Sequence, residues 1–280
     1  MISEIGRRDC CARRDSHYHS LTNASSFRLI KMKKQPSLDE LIKITREILQ
    51  TKYPSAEFAF LAGSIVRGEG TPFSDLDIVI IYKELPNAFR EFFYFRKFPV
   101  ETFVHTPETL NYFIFDLDRP SSVGSLARMV SEGIEIPKKS ELSEKLKRLA
   151  NESLADPPKI SEDEKRNIRC HITDLVDDIR APRSKEELTA SATVLYTALA
   201  DFYFRANGFW SAKSKSIPRN LQKINPELRQ KFRASFEELF VAGKSEKVIE
   251  LAEELLESHG GFLFDGLRLD SSPDCKKPLE

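Results

Sequence analysis

Two short apolar runs joined by a turn-rich segment constrain the first half of this chain more than any other feature. The runs EFAFLA at 57–62 and DIVIIY at 77–82 are rich in β-branched and aromatic residues and read as two strands. Between them lies GSIVRGEGTPFSDL, whose Gly, Ser and Pro residues break both regular patterns. Gly63-Ser64 ends the first strand and opens a short helical turn. Asp75 and Asp77 stand two apart at the entry of the second strand, so their side chains leave the same face. Two carboxylates held that way repel each other unless cations sit between them. Hard oxygen donors of this kind suit Mg²⁺ bound together with a substrate's phosphates. Gly63 lets a phosphate approach the backbone, where free N–H groups and the Ser64 hydroxyl can hold it. The pieces together describe a site for a metal-bound nucleoside triphosphate.

A bare Asp-x-Asp carries no information, because about one is expected by chance in a chain of this length. Asp116-Leu117-Asp118 repeats the pattern without an apolar strand behind it and reads as a solvated helix end. Gly124-Ser125 is a similar decoy, with no acidic pair downstream. Requiring Gly-Ser at one fixed distance before Asp-x-Asp lowers the chance expectation to about 0.01 on ordinary composition.

The remaining chain divides near residue 137. Ser37 caps a helix running to about Lys52, with Leu38, Leu41, Ile42 and Ile48 on one face. Aromatic strands are expected around 90–95 and 100–105, and Thr106-Pro107 starts a helix. After Pro137 the pattern is helical at 138–155, 161–180, 184–206, 226–241 and 244–259, with Pro or Gly turns between most of them. The expected class is therefore α+β, with four parts: a basic tail at 1–34, an α/β unit at 35–136, a helical bundle at 137–270 and a loose end at 271–280.

The motif resembles the nucleotidyltransferase superfamily built on the polymerase-β-like palm, whose signature is Gly-Ser, a spacer, then Asp-x-Asp. The helical half is similar to that of the aminoglycoside and lincosamide nucleotidyltransferases. The resemblance implies a mixed sheet with helices followed by a helical bundle, with ATP or another nucleoside triphosphate as co-substrate and Mg²⁺ held by Asp75, Asp77 and a third carboxylate on a later strand. Glu101 in FPVETFVHT is the candidate. Glu101, Phe103 and His105 share one strand face, and an acid amid Val100, Phe103 and Val104 needs a reason; the plainer alternative is a strand Glu facing water. His105 reads as a surface or helix-start histidine. Arg67 follows the Gly-Ser turn and reads either as a phosphate contact or as a plain surface arginine. The resemblance also implies late basic residues on the triphosphate, and SAKSKSIPRNLQKINPEL, read as a connection between two helices, offers Lys213, Lys215 and Arg219. Trp210 reads as a core or capping residue rather than a ligand platform.

The expected reaction is transfer of AMP from ATP to a hydroxyl of a small acceptor, with an aminoglycoside-like antibiotic as one candidate, bound in the cleft between the two halves. Glu101 either completes the metal site or takes the acceptor's proton. The alternatives are modification of a protein hydroxyl, as in toxin–antitoxin pairs, and a silent nucleotide sensor. The charge balance of 43 basic and 43 acidic residues counts against nucleic acid as acceptor. Eight of the basic and three of the acidic residues lie in 1–34, leaving a tail of +5 and a body of −5. That tail reads as a transit peptide or, more simply, as residues before a true start at Met32; His17 and His19 within it are not expected to bind metal. Cys10, Cys11, Cys170 and Cys275 suit neither a zinc site nor a disulfide framework, which fits a reducing cytoplasm. No stretch is long and apolar enough to span a bilayer.

Overall fold

The computed structural model describes residues 36–272 and 275–276. The readings placed on Cys10, Cys11, His17, His19 and Met32 lie outside the described residues. Helix α1 (Leu38–Lys52) starts where expected, with the Ser37 hydroxyl accepting from the Glu40 N–H at 3.3 Å. Its buried face is Leu41, Ile44, Thr45, Ile48 and Leu49, which keeps Leu41 and Ile48 of the expected face but not Leu38 or Ile42. Leu38 is the first helical residue and stays exposed at that open end, so the stripe begins one turn later.

Five strands follow: β1 (Phe58–Ala62), β2 (Leu76–Ile81), β3 (Phe89–Phe95), β4 (Phe98–His105) and β5 (Ile134–Ile136). They form one mixed sheet in the order β3-β4-β2-β1-β5. The β2–β4 pair is parallel, and the other neighbours are antiparallel. Every residue of β1 is buried, as is all of β2 apart from half-buried Asp77. Central strands covered on both faces read as continuous apolar runs, which is why these two stood out in the sequence. The outer strand β3 instead alternates exposed and half-buried residues.

A helical turn, α2 (Gly63–Val66), follows β1, and α3 (Pro107–Tyr112) is held at its start by a capping box between Thr106 and Thr109. A π-helical turn at Phe113–Asp118 leads to α4 (Ser125–Glu132). One detail here corrects the sequence reading. Asp118 is no solvated helix end: its half-buried carboxylate accepts from the N–H groups of Ser125 (3.0 Å), Leu126 (2.8 Å) and Ala127 (3.4 Å) and so caps α4. The Gly124-Ser125 pair is the start of that helix.

The C-terminal part is helical: α5 (Glu141–Ala155), α6 (Glu162–Arg180), α7 (Lys185–Ala206), α8 (Ser216–Ile224), α9 (Pro226–Ala242) and α10 (Glu246–Glu257). The expected α+β class is borne out, as a mixed sheet with helices followed by a run of helices. Helix α8 replaces the expected loop between two helices. Leu146 and Ala150 of α5 enter the core beneath the sheet with Phe60, Val79 and Val130. A second core gathers side chains from α6 to α10, among them Ile172, Leu199, Phe202, Phe232 and Leu251. The described residues form one compact unit. The segment after α7 ties the two cores together. The Trp210 indole N–H donates to the Leu154 carbonyl at 2.8 Å, and the Ser211 N–H donates to the Ser122 carbonyl at 2.7 Å. Trp210 is thus a buried brace, as expected of it.

Candidate active site

The carboxylates meet because of strand register. Asp77 stands opposite Glu101 across the parallel β2–β4 pair and opposite Ala62, the last residue of β1. Asp75 precedes β2 by one residue and shares the face of Asp77. One oxygen from each of Asp75, Asp77 and Glu101 lies within 4.8 Å of the others. Gly63 has φ +81°, and a β-carbon built on it would lie 1.8 Å from Asp77 Oδ2. The space a side chain would take is filled by the carboxylate itself.

Glu101 is 7% exposed and Asp77 half-buried. Burial, then the charges of Asp75 and Glu101, push the Asp77 carboxyl up to about 7, while Arg67 and Lys215 pull it back. That shift records burial first and the neighbouring carboxylates second. Three hard oxygen donors converging at such a point fit a divalent cation.

Asp75 and Asp77 open on a cavity of about 310 Å³. Gly63, Ser64, Arg67, Asp75, Asp77, Lys215 and Arg219 all line it, so the structure brings these sequence candidates together. Glu101 does not line this cavity and lines a neighbouring one with Asp75. Lys213 is elsewhere, facing a third cavity beside Asp201 and Arg205. The Ser64 hydroxyl is buried and donates to Ser74 Oγ at 3.3 Å, which in turn accepts from the Thr71 N–H at 2.8 Å, closing the loop between β1 and β2.

Helix α8 explains the basic wall. Ile217 and Leu221 face the helical core, whereas Lys215, Arg219 and Lys223 recur every four residues and face the cavity. Glu69 gathers three of the cavity's cations: Arg67 at 3.2 Å, Arg219 at 3.3 Å and Lys223 at 4.0 Å. Arg67 also reaches Glu132 at 3.1 Å. Lys223, Arg128 and Glu69 were not among the sequence candidates; reading 215–224 as a helix would have exposed the four-residue spacing.

Arg90 was also missed. Its guanidinium pairs with Glu101 Oε1 and lies over the rings of Phe92 (4.6 Å) and Phe103 (5.0 Å). Its parity with Phe92 in FREFFYF was the available signal, since Phe92 pairs with Glu101 across β3–β4. His105 is corrected from surface to interior: it is 3% exposed, 4.8 Å from the Phe113 ring, with Nδ1 3.4 Å from Thr109 Oγ1. Burial pulls its pKa down to about 4, so it is neutral at physiological pH.

Residues 42–128 match the family model for a nucleotidyltransferase domain. The matched span contains Gly63, Ser64, Asp75, Asp77 and Glu101, and it supports nucleotidyl transfer as the class of reaction. No curated protein matches the chain. Among solved structures, a nucleotidyltransferase-like protein from Exiguobacterium sibiricum 255-15 is 16% identical, with a TM-score of 0.40. That alignment covers 78% of this chain and 75% of the other. No helix among the described residues is long and apolar enough to cross a membrane.

Proposed function

We propose that this chain is a Mg²⁺-dependent nucleotidyltransferase that moves AMP from ATP to a hydroxyl of a small acceptor, with an aminoglycoside-like compound as one candidate, in the cytoplasm. The observation that carries this reading is the meeting of the acidic triad with a basic cavity at the Gly63-Ser64 turn. An acid cluster alone would suit many cations. Beside Lys215, Arg219 and Arg67 it suits a cation that arrives with a polyphosphate.

In this reading Asp75, Asp77 and Glu101 hold the metal, which supplies Lewis-acid neutralisation of charge on the phosphates. Lys215, Arg219 and Arg67 bind the triphosphate, and the Glu69 carboxylate holds two of these cations in place until phosphate competes for them. The Ser64 hydroxyl and the backbone after Gly63 orient the phosphates. Glu101 takes the proton that leaves the acceptor hydroxyl, and Arg90 fixes its carboxylate in position. We assign residues 35–136 to nucleotide binding and 137–270 to the helical half that supplies the basic wall.

Pyrophosphate release from ATP and Mg²⁺, screened against aminoglycosides, lincosamides and hydroxylated metabolites, tests the proposal. Release that depends on one acceptor and disappears in Glu101→Gln is the expected result. Release that is unaffected by Glu101→Gln would contradict the assignment.

A further inference from the structure

The acidic triad stands at the junction of two cavities. Asp75 lines both the basic cavity and a second one of about 260 Å³, whose walls include Phe92, Tyr94 and Pro99 and which Glu101 also lines. Phe92 and Tyr94 are 64% and 74% exposed, although both are large and apolar in body. They alternate along β3 on one face, about 7 Å apart at the ordinary strand rise, which is close to the width of a substituted six-membered ring. The Arg90 guanidinium over Phe92, itself paired with Glu101, braces that ring upright beside the carboxylate.

Displacement at phosphorus places the attacking and leaving oxygens roughly in line. If the leaving pyrophosphate lies among Lys215, Arg219 and Lys223, the attacking hydroxyl must enter from the other side of the carboxylates. The second cavity is on that side, because Glu101 belongs to it and not to the basic cavity. Resting on the nucleotidyl-transfer reading, we infer that this second cavity is the acceptor site, and that the acceptor is a neutral or cationic hydroxylated ring compound laying an apolar face on Phe92 and Tyr94. This replaces the cleft between the two halves as the acceptor's place. The carboxylates accept hydrogen bonds from hydroxyl or ammonium groups and repel an anionic acceptor. In the transfer, the acceptor oxygen bonds to the α-phosphorus and the bond from that phosphorus to the bridging oxygen of the β-phosphate breaks. Pyrophosphate departs into the basic cavity, and the hydroxyl proton passes to Glu101 and then to water. A sugar ring and a phenol both supply the required face.

Saturation-transfer NMR tests the site in the presence of Mg²⁺ and an ATP analogue with a methylene bridge between the α- and β-phosphates. Methyl glucosaminide serves as the sugar probe and tyramine as the aromatic one; titration calorimetry follows the nucleotide separately. At least one probe should show saturation on the wild-type chain. Its signal should fall at least five-fold in Tyr94→Ser and further in the Phe92→Ser/Tyr94→Ser double variant, with nucleotide affinity within two-fold. The probe that binds identifies the source of the ring. Absence of both probes from the wild type, or equal binding to the double variant, overturns the acceptor site while nucleotide binding persists. Loss of nucleotide binding by the wild type itself would instead overturn the reading on which the site rests.

Discussion

A side chain at position 63 would have to stand where the Asp77 carboxylate already is. Gly63→Ala therefore strains a left-handed backbone position and displaces Asp77 at once, at a cost of about 1–3 kcal/mol for the backbone alone. Transfer activity should fall at least 100-fold, and a chemical melt should show the matching loss of stability. His105 yields a prediction with a definite sign. Its folded-state pKa of about 4 lies below the usual 6.5, so between those values the unfolded chain binds the proton that the folded one refuses. This part of the stability is present above pH 6.5 and is lost as pH falls through 4. The full shift corresponds to about 3 kcal/mol. His105→Asn should flatten the pH dependence of denaturant midpoints between pH 7 and 4. An unchanged slope would mean that the ring is hydrated or partnered in solution.

At the level of elements, helix α8 decides which lysine serves the nucleotide. Lys215→Ala should raise the KM for ATP about ten-fold, the scale of one charge-assisted contact, with a smaller effect on kcat. Lys213→Ala should change neither, because Lys213 faces a different cavity. Steady-state kinetics on the two variants separates them. This distinction was beyond the sequence, where Pro218 inside a polar stretch concealed a nine-residue helix whose apolar face is Ile217, Leu221 and the terminal Ile224. The same physical limit hid β5, which is three residues long and takes its place only by pairing with β1. Elements with strong local signals were legible: β1 and β2 through burial on both faces, α3 through Thr106-Pro107, α6 and α7 through serine caps followed by acids. The Gly63-Ser64 and Asp75-x-Asp77 pieces were legible because their spacing is local. Arg90 and Glu69 were not, because their roles depend on contacts across a sheet and across 150 positions of chain.

Across the molecule, the sheet supplies the acids with Arg67 beside them, helix α8 adds Lys215, Arg219 and Lys223, and the segment from Trp210 to Lys215 brings the two sets together. Neither set alone accounts for a triphosphate site. The acids need a cation, and the bases are partly tied up by Glu69 until an anion competes. Nucleotide and divalent ion should therefore bind as a unit. Calorimetric titration of the chain with the methylene-bridged ATP analogue, with and without Mg²⁺, measures that coupling most directly. Binding should be at least ten-fold tighter with Mg²⁺ in the wild type, with no such gain in the Asp75→Asn/Asp77→Asn double variant. Equal nucleotide affinity with and without Mg²⁺ in the wild type, or an undiminished Mg²⁺ effect in the double variant, would contradict this coupling.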